Sequence, residues 1–109
     1  MRRFGQILGL DVTRLDEYKR QHAKIWPEIE RAIRAAGIRN YSIYYRAGTL
    51  FGYYEYHGPV GEYDARMLAL AAAPRMREWW DLMESMQIPL ADRRNGEWWA
   101  ELEEVFHQD

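Results

Sequence analysis

Cysteine is absent from all 109 residues, which removes disulfides, thiolate nucleophiles and thiolate metal sites together. An excess of positive charge is also missing: 15 Lys and Arg stand against 17 Asp and Glu, a formal net charge of -2. Neither nucleic acid nor an anionic membrane is therefore an expected partner, because both require a clustered basic surface. No apolar run approaches the roughly 18 residues that span a bilayer, and "MRRFGQILGLDVTR" carries too short an apolar segment for a signal peptide. The expectation is a cytoplasmic protein. Phenylalanine is scarce as well, with 3 residues against 5 Trp and 8 Tyr. Most aromatic rings thus carry a polar handle, as expected where rings meet a polar ligand or a wet interface.

No repeat, low-complexity tract or long linker interrupts the chain, so residues 1–109 read as one domain. A domain this small has little interior to spare, and an aromatic ligand site in it is often completed by a second subunit, which makes a homodimer the expected state. "RRFGQILGL" places Phe4, Leu8 and Leu10 on one alternating face and predicts an N-terminal strand. Thr13 with Asp16 resembles a capping box at a helix start. Leu15, Tyr18, His22, Ile25, Ile29, Ile33 and Ala36 then recur at helical spacing up to Gly37. Pro27 falls inside that pattern; either it kinks one helix or a second helix restarts with proline in its first turn.

"NYSIYYRAGTLFGYYEYH" predicts a hairpin turning at Ala47-Gly48, with Tyr41, Ile43 and Tyr45 on one face and Leu50, Tyr54 and Tyr56 on another. A short helix from Tyr63 and another from Pro74 to about Met86 follow. "WWAELEEVFH" alternates well enough for a last strand, with Glu104 out of pattern and a helix still open. Strand, helix, hairpin, helices, strand is the order of a split βαβ, ferredoxin-like α+β fold with helices on one face of an antiparallel sheet.

Tyr18 and His22, four residues apart, share a helix face and can reach one small molecule. An imidazole exchanges protons near neutral pH, yet spacing alone favours a satisfied histidine at the edge of a core. Trp79-Trp80 and Trp98-Trp99 are adjacent pairs whose members cannot point the same way; indole and phenol rings suit a sugar, whose C–H faces stack while its hydroxyls need polar edges. Packing and dimerisation are the ordinary alternatives for these tryptophans. His22, His57 and His107 are dispersed without a ligand spacing, so no metal site is expected. No glycine-rich phosphate loop or nucleophile elbow occurs, and Arg93-Arg94 reads as solvated surface.

"EYKRQHAKIWPEIE", "IRNYSIYYR", "REWWDLM" and "ELEEVFH", in that order and spacing, resemble the L-rhamnose mutarotase family, small isomerases that interconvert the α and β anomers of a deoxy sugar. The resemblance spans nearly the whole chain. It implies a dimeric, ferredoxin-like α+β barrel fold with neither a metal nor an organic cofactor, and a monosaccharide as the small-molecule partner. Carried over by position, it makes His22 the proton-transferring residue and Tyr18, Tyr41, Trp79 and Trp80 the sugar-contacting aromatics. One segment departs: where rhamnose-specific members run Met-x-x-Asn-Pro-Asp-Asn-Ser-Pro after the Trp-Trp helix, this chain has "MESMQIPLADRRNGEWW", rebuilt around Pro89, Arg93, Arg94, Trp98 and Trp99. That leaves L-fucose as an alternative sugar. A cofactor-independent monooxygenase or haem-degrading enzyme on the same fold, and a non-catalytic sugar-binding module, are the competing readings. Glu55 enters as an acid that could tune His22.

Overall fold

A computed structural model describes residues 1–109. β1 (Arg2–Leu10), α1 (Leu15–Ala23), α2 (Pro27–Ala35), β2 (Ile38–Arg46), β3 (Thr49–Tyr56), α3 (Tyr63–Ala72), α4 (Pro74–Glu84), β4 (Gln87–Ile88) and β5 (Ala100–Leu102) follow in order. The sheet runs β2-β3-β1-β4, every pairing is antiparallel, and β5 joins the same edge of β1 as β4, lower down. This is the split βαβ arrangement, with the last strand divided into two short pieces.

The start of the first helix differs from the capping-box expectation. Thr13 caps nothing; Asp11 caps the 3-10 turn over Val12–Arg14 that leads into α1, its carboxylate accepting from the Thr13 backbone N–H at 3.0 Å and from the Thr13 hydroxyl at 2.7 Å, and α1 itself starts after Arg14 without a side-chain cap. The free N–H that a side chain satisfies thus belongs to the 3-10 turn and not to α1. The apolar stripe then breaks at Pro27. Trp26 takes the extended conformation (φ -59, ψ 127) that the residue before a proline favours, and its carbonyl accepts from Ile29 N–H at 2.9 Å. Pro27 opens α2, where its missing N–H costs nothing. The restart, rather than the kink, is what the chain adopts.

In the hairpin, Ala47 and Gly48 both have positive φ (47 and 85), the requirement of the tight turn whose twist matches paired strands. Asn40, at φ 52, is the extra residue of a bulge between Arg39 and Ser42. One inserted residue reverses the alternation, so Ile38 and Tyr41 face the same side although their numbers differ in parity. That inner side also carries Leu8, Leu50 and Tyr56 and packs beneath the helices with Ile29, Met76, Trp79, Met83 and Met86 in the core. On the outer side Ile7, Tyr44, Phe51 and Leu102 follow from the register, with Tyr44 67%, Phe51 41% and Leu102 44% exposed.

The C-terminal strand is shorter than its alternation predicts. Only Ala100–Leu102 pair with β1, and residues 103–109 continue without regular structure, tied down by Arg3 to Glu104 at 3.0 Å. Val105 and Phe106 stand exposed. β4 has no counterpart in the sequence reading.

Candidate active site

Between the inner sheet face and α1, α3 and α4 lies a cavity of about 370 Å³, within the usual range for small-molecule sites, roughly 300 to 1,000 Å³. Tyr18, His22, Tyr41, Trp79 and Trp80, the five residues singled out from the sequence, all line it. They come from α1, the bulged stretch of β2, and α4. Trp98 and Trp99 line it too, from the irregular segment before β5. Both members of each tryptophan pair therefore border one open cavity, Trp79 from the core side and Trp80 from the rim. Two residues that the sequence reading passed over, Gln6 and Gln87, add two amides to the lining. Gln6 had left a trace: it interrupts the apolar alternation of Phe4, Leu8 and Leu10 on the core face of β1. Gln87 had left none.

His22 sits in the last turn of α1, and its Nδ1 lies 2.8 Å from the Tyr18 backbone carbonyl oxygen. A carbonyl only accepts, so Nδ1 carries the proton, and in the neutral ring the lone pair is on Nε2. Burial lowers the His22 pKa below its ordinary value, partly opposed by that hydrogen bond, which keeps the ring neutral at neutral pH. The ring is fixed from both sides, 4.4 Å from Tyr18 and edge-on to Trp79 at 5.6 Å. Trp79 is in turn held edge-on by Trp26 at 5.1 Å, and the Arg75 guanidinium covers Trp26 at 3.9 Å. The helix break at Pro27 thus supplies a buttress behind the histidine. Glu55 is not part of this arrangement. It accepts from Asn40, Tyr53 and His57 at 2.7 Å each, and these hydrogen bonds hold its pKa down to about 2.

The Tyr18 hydroxyl is pushed up to about 12 by burial, which a hydrogen bond from Gln87 partly offsets; it stays protonated across the physiological range. Tyr41 leaves part of its ring exposed, yet its hydroxyl is enclosed near Gln6 and burial raises its pKa also. The tilted rings of Tyr41 and Tyr54 lie 5.4 Å apart. Gly52 lies against two lining side chains: a Cβ there would lie 3.0 Å from Gln6 Cγ and 3.3 Å from Trp99 Cζ3. The lining charges, Arg77 and Glu84, pair with each other, and Arg77 also reaches Asp81 at 3.0 Å. What remains is an aromatic cavity with hydroxyl, amide and imidazole groups and balanced charge, suited to a neutral polyhydroxylated ligand with apolar faces.

The family model described as L-rhamnose mutarotase matches residues 3–108. The chain is 35% identical to the L-rhamnose mutarotase of Ligilactobacillus salivarius, covering 98% of this chain and 97% of that one. It is 34% identical to that of Lactiplantibacillus plantarum over 100% of both, and 38% identical to that of Opitutus terrae over 85% of each. Among solved structures, the crystal structure of the L-rhamnose mutarotase of Formosa agariphila superposes with a TM-score of 0.78 at 26% identity, covering both chains fully.

Proposed function

The chain belongs to the L-rhamnose mutarotase family, a family of isomerases, and from that membership we propose that it interconverts the α and β anomers of L-rhamnose with His22 as the acid/base residue. The observation that carries the assignment of His22 is its tautomer: with Nδ1–H given to the Tyr18 carbonyl, Nε2 is left as the base. Ring opening removes the proton from the anomeric hydroxyl, breaks the bond from C1 to the ring oxygen, leaves a carbonyl at C1 and protonates the ring oxygen. His22 Nε2 takes the first proton, and the ring oxygen receives its proton from the Tyr18 hydroxyl or from the imidazolium. After rotation about the C1–C2 bond, the same transfers in reverse close the ring on the other carbonyl face. Protons and electrons balance within the sugar and the side chains, so the reaction calls for no redox partner.

Tyr41 hydrogen-bonds a sugar hydroxyl, and Trp79 and Trp80 hold the ring. Such a positioned proton carrier contributes about 100- to 10,000-fold, enough to matter for a reaction that already proceeds slowly in water. The same reading makes the protein a cytoplasmic homodimer. The exposed Tyr44, Phe51 and Leu102 on the outer sheet face support the dimer. Saturation transfer between the anomeric protons of L-rhamnose, with L-fucose alongside, tests the activity. Exchange faster with protein than without is expected for L-rhamnose, and unchanged exchange for both sugars would sink the proposal.

A further inference from the structure

Gln87 is the buried polar side chain of this fold, 9% exposed, and it bridges two cavity-lining aromatics from opposite sides. The indole N–H of Trp98 lies 2.8 Å from Gln87 Oε1, and Gln87 Nε2 lies 3.0 Å from the Tyr18 hydroxyl oxygen. The chemistry of the partners fixes the direction of every hydrogen bond in this row. An indole nitrogen can only donate, so the amide oxygen must face Trp98. The amide NH₂ then faces Tyr18 and can only donate, so the Tyr18 oxygen accepts. A phenol that accepts from one side has its own proton free to point elsewhere.

We propose that Gln87 is a positioning residue for ring opening: held by Trp98, its amide occupies the Tyr18 oxygen and turns the Tyr18 proton into the cavity as a donor to the sugar. This rests on the ring-opening reading above and deepens it. His22 is fixed as an acceptor by the Tyr18 carbonyl and Tyr18 as a donor by the Gln87 amide, and hemiacetal opening needs one of each.

The local fold is built to seat this residue. Gln87 belongs to the two-residue strand β4, which pairs Gly9 with Ile88 and Leu10 with Gln87 at the end of β1. A Cβ at Gly9 would lie 2.6 Å from the Ile88 carbonyl oxygen, so only glycine lets β4 approach. The Asp11 N–H donates to the Met86 carbonyl at 2.9 Å and secures the strand from the other end. The segment that departs from the rhamnose-specific pattern therefore begins at a fixed point and returns to it through Trp98.

A double-mutant cycle tests the relay, read by saturation transfer at saturating L-rhamnose. Gln87→Glu keeps the shape but, once ionised, offers acceptors only, and draws the Tyr18 proton away from the sugar. Its kcat near pH 9 is expected to fall about tenfold or more, with circular dichroism unchanged, while Gln87→Met, which frees the Tyr18 hydroxyl to rotate, falls less. In a Tyr18→Phe background the same Gln87→Glu change is expected to alter kcat less than about twofold. Wild-type kcat in Gln87→Glu, a larger loss in Gln87→Met, or an equal loss in the Tyr18→Phe background would each overturn the relay. Should Gln87→Glu not fold, the cycle is run with Gln87→Met, where the same equality of losses counts against it. Wild-type protein measured in parallel separates the two failures: no catalysed exchange there overturns the parent reading, not the relay alone.

Discussion

His22 has two properties that set its pH behaviour, a proton held on Nδ1 by a main-chain carbonyl and a pKa lowered chiefly by burial. Only the neutral ring can take the anomeric proton. The kcat/KM for mutarotation is therefore expected to hold a plateau at neutral pH and to fall on the acid side, with an apparent pKa below the ordinary 6.5. The same shift bears on stability. In the unfolded chain the imidazole regains its ordinary pKa and binds a proton that the folded chain refuses, so stability from this group is present above about pH 6.5 and is lost as pH falls below it. Denaturant unfolding of wild type and His22→Ala at about pH 7.5 and pH 5 checks the sign: the wild type should lose more stability on acidification than the variant does. The variant, if folded, is expected to lose about 100- to 10,000-fold in kcat. A folded His22→Ala protein with full activity would remove the residue from the mechanism and leave the family membership untouched.

The bulge and the close approach at Gly52 decide what the hairpin shows to the cavity. Ile43, facing inward, pairs with Gly52, and Gly52 with Gln6 across β1, so one missing Cβ in the centre of the sheet makes room for the Gln6 amide and the Trp99 ring. Gly52→Ala places a methyl 3.0 Å from Gln6 Cγ, 3.1 Å from Gln6 Nε2 and 3.3 Å from Trp99 Cζ3. Gln6 can turn aside, but the rigid indole must shift. The expected cost is about 1 to 3 kcal/mol of stability, together with a several-fold rise in KM for the sugar and little change in kcat, since His22 and Tyr18 lie on a different element. Titration of the sugar under saturation transfer, with thermal unfolding beside it, separates the two effects.

This part of the fold also shows what a sequence can and cannot reveal. β1, β2 and β3, the hairpin turn at Ala47-Gly48 and the paired Tyr18 and His22 were legible because each is a local pattern with one physical cause. The choice at Pro27 was not, because a kink and a restart place the same apolar residues at nearly the same spacing. β4 and its Gln87 were invisible: two residues have no periodicity, and their position is set by contact with Gly9, far away in the chain. Trp98 and Trp99 read as the start of the last strand, but the paired strand begins only at Ala100; their placement is set by contacts with Gln87 and beside Gly52 rather than by the strand period. The two amides of the cavity, Gln6 and Gln87, were therefore its least readable part.

Taken whole, the molecule covers one face of its sheet with four helices and leaves the other bare. Ile7, Tyr44, Phe51 and Leu102 form an outer patch across four strands, and the apolar Val105 and Phe106 extend from its edge, 91% and 79% exposed. Scattered apolar residues are ordinary on a surface, but a contiguous set on a strand-built face marks an interaction site. A typical stable interface takes about 800 Å² from each partner, roughly a tenth of the 7568 Å² that this chain exposes. A second copy docked sheet to sheet by a two-fold axis would cover the patch with the same patch, as a self-complementary interface requires. Phe51 sits at its centre, between Ile7 on β1 and Tyr44 on β2. Phe51→Arg puts a charge at that centre on both copies at once, which opposes pairing by desolvation and by like-charge repulsion. Light scattering at micromolar concentration is expected to give the mass of two chains for the wild type and of one for Phe51→Arg, and the thermal midpoint of the wild type is expected to rise with protein concentration while that of the variant does not. A wild type that scatters as a single chain of 13.1 kDa would remove the homodimer from the proposed function. His22, Tyr18 and Gln87, which all lie on the opposite side of the sheet, would keep their roles in either case.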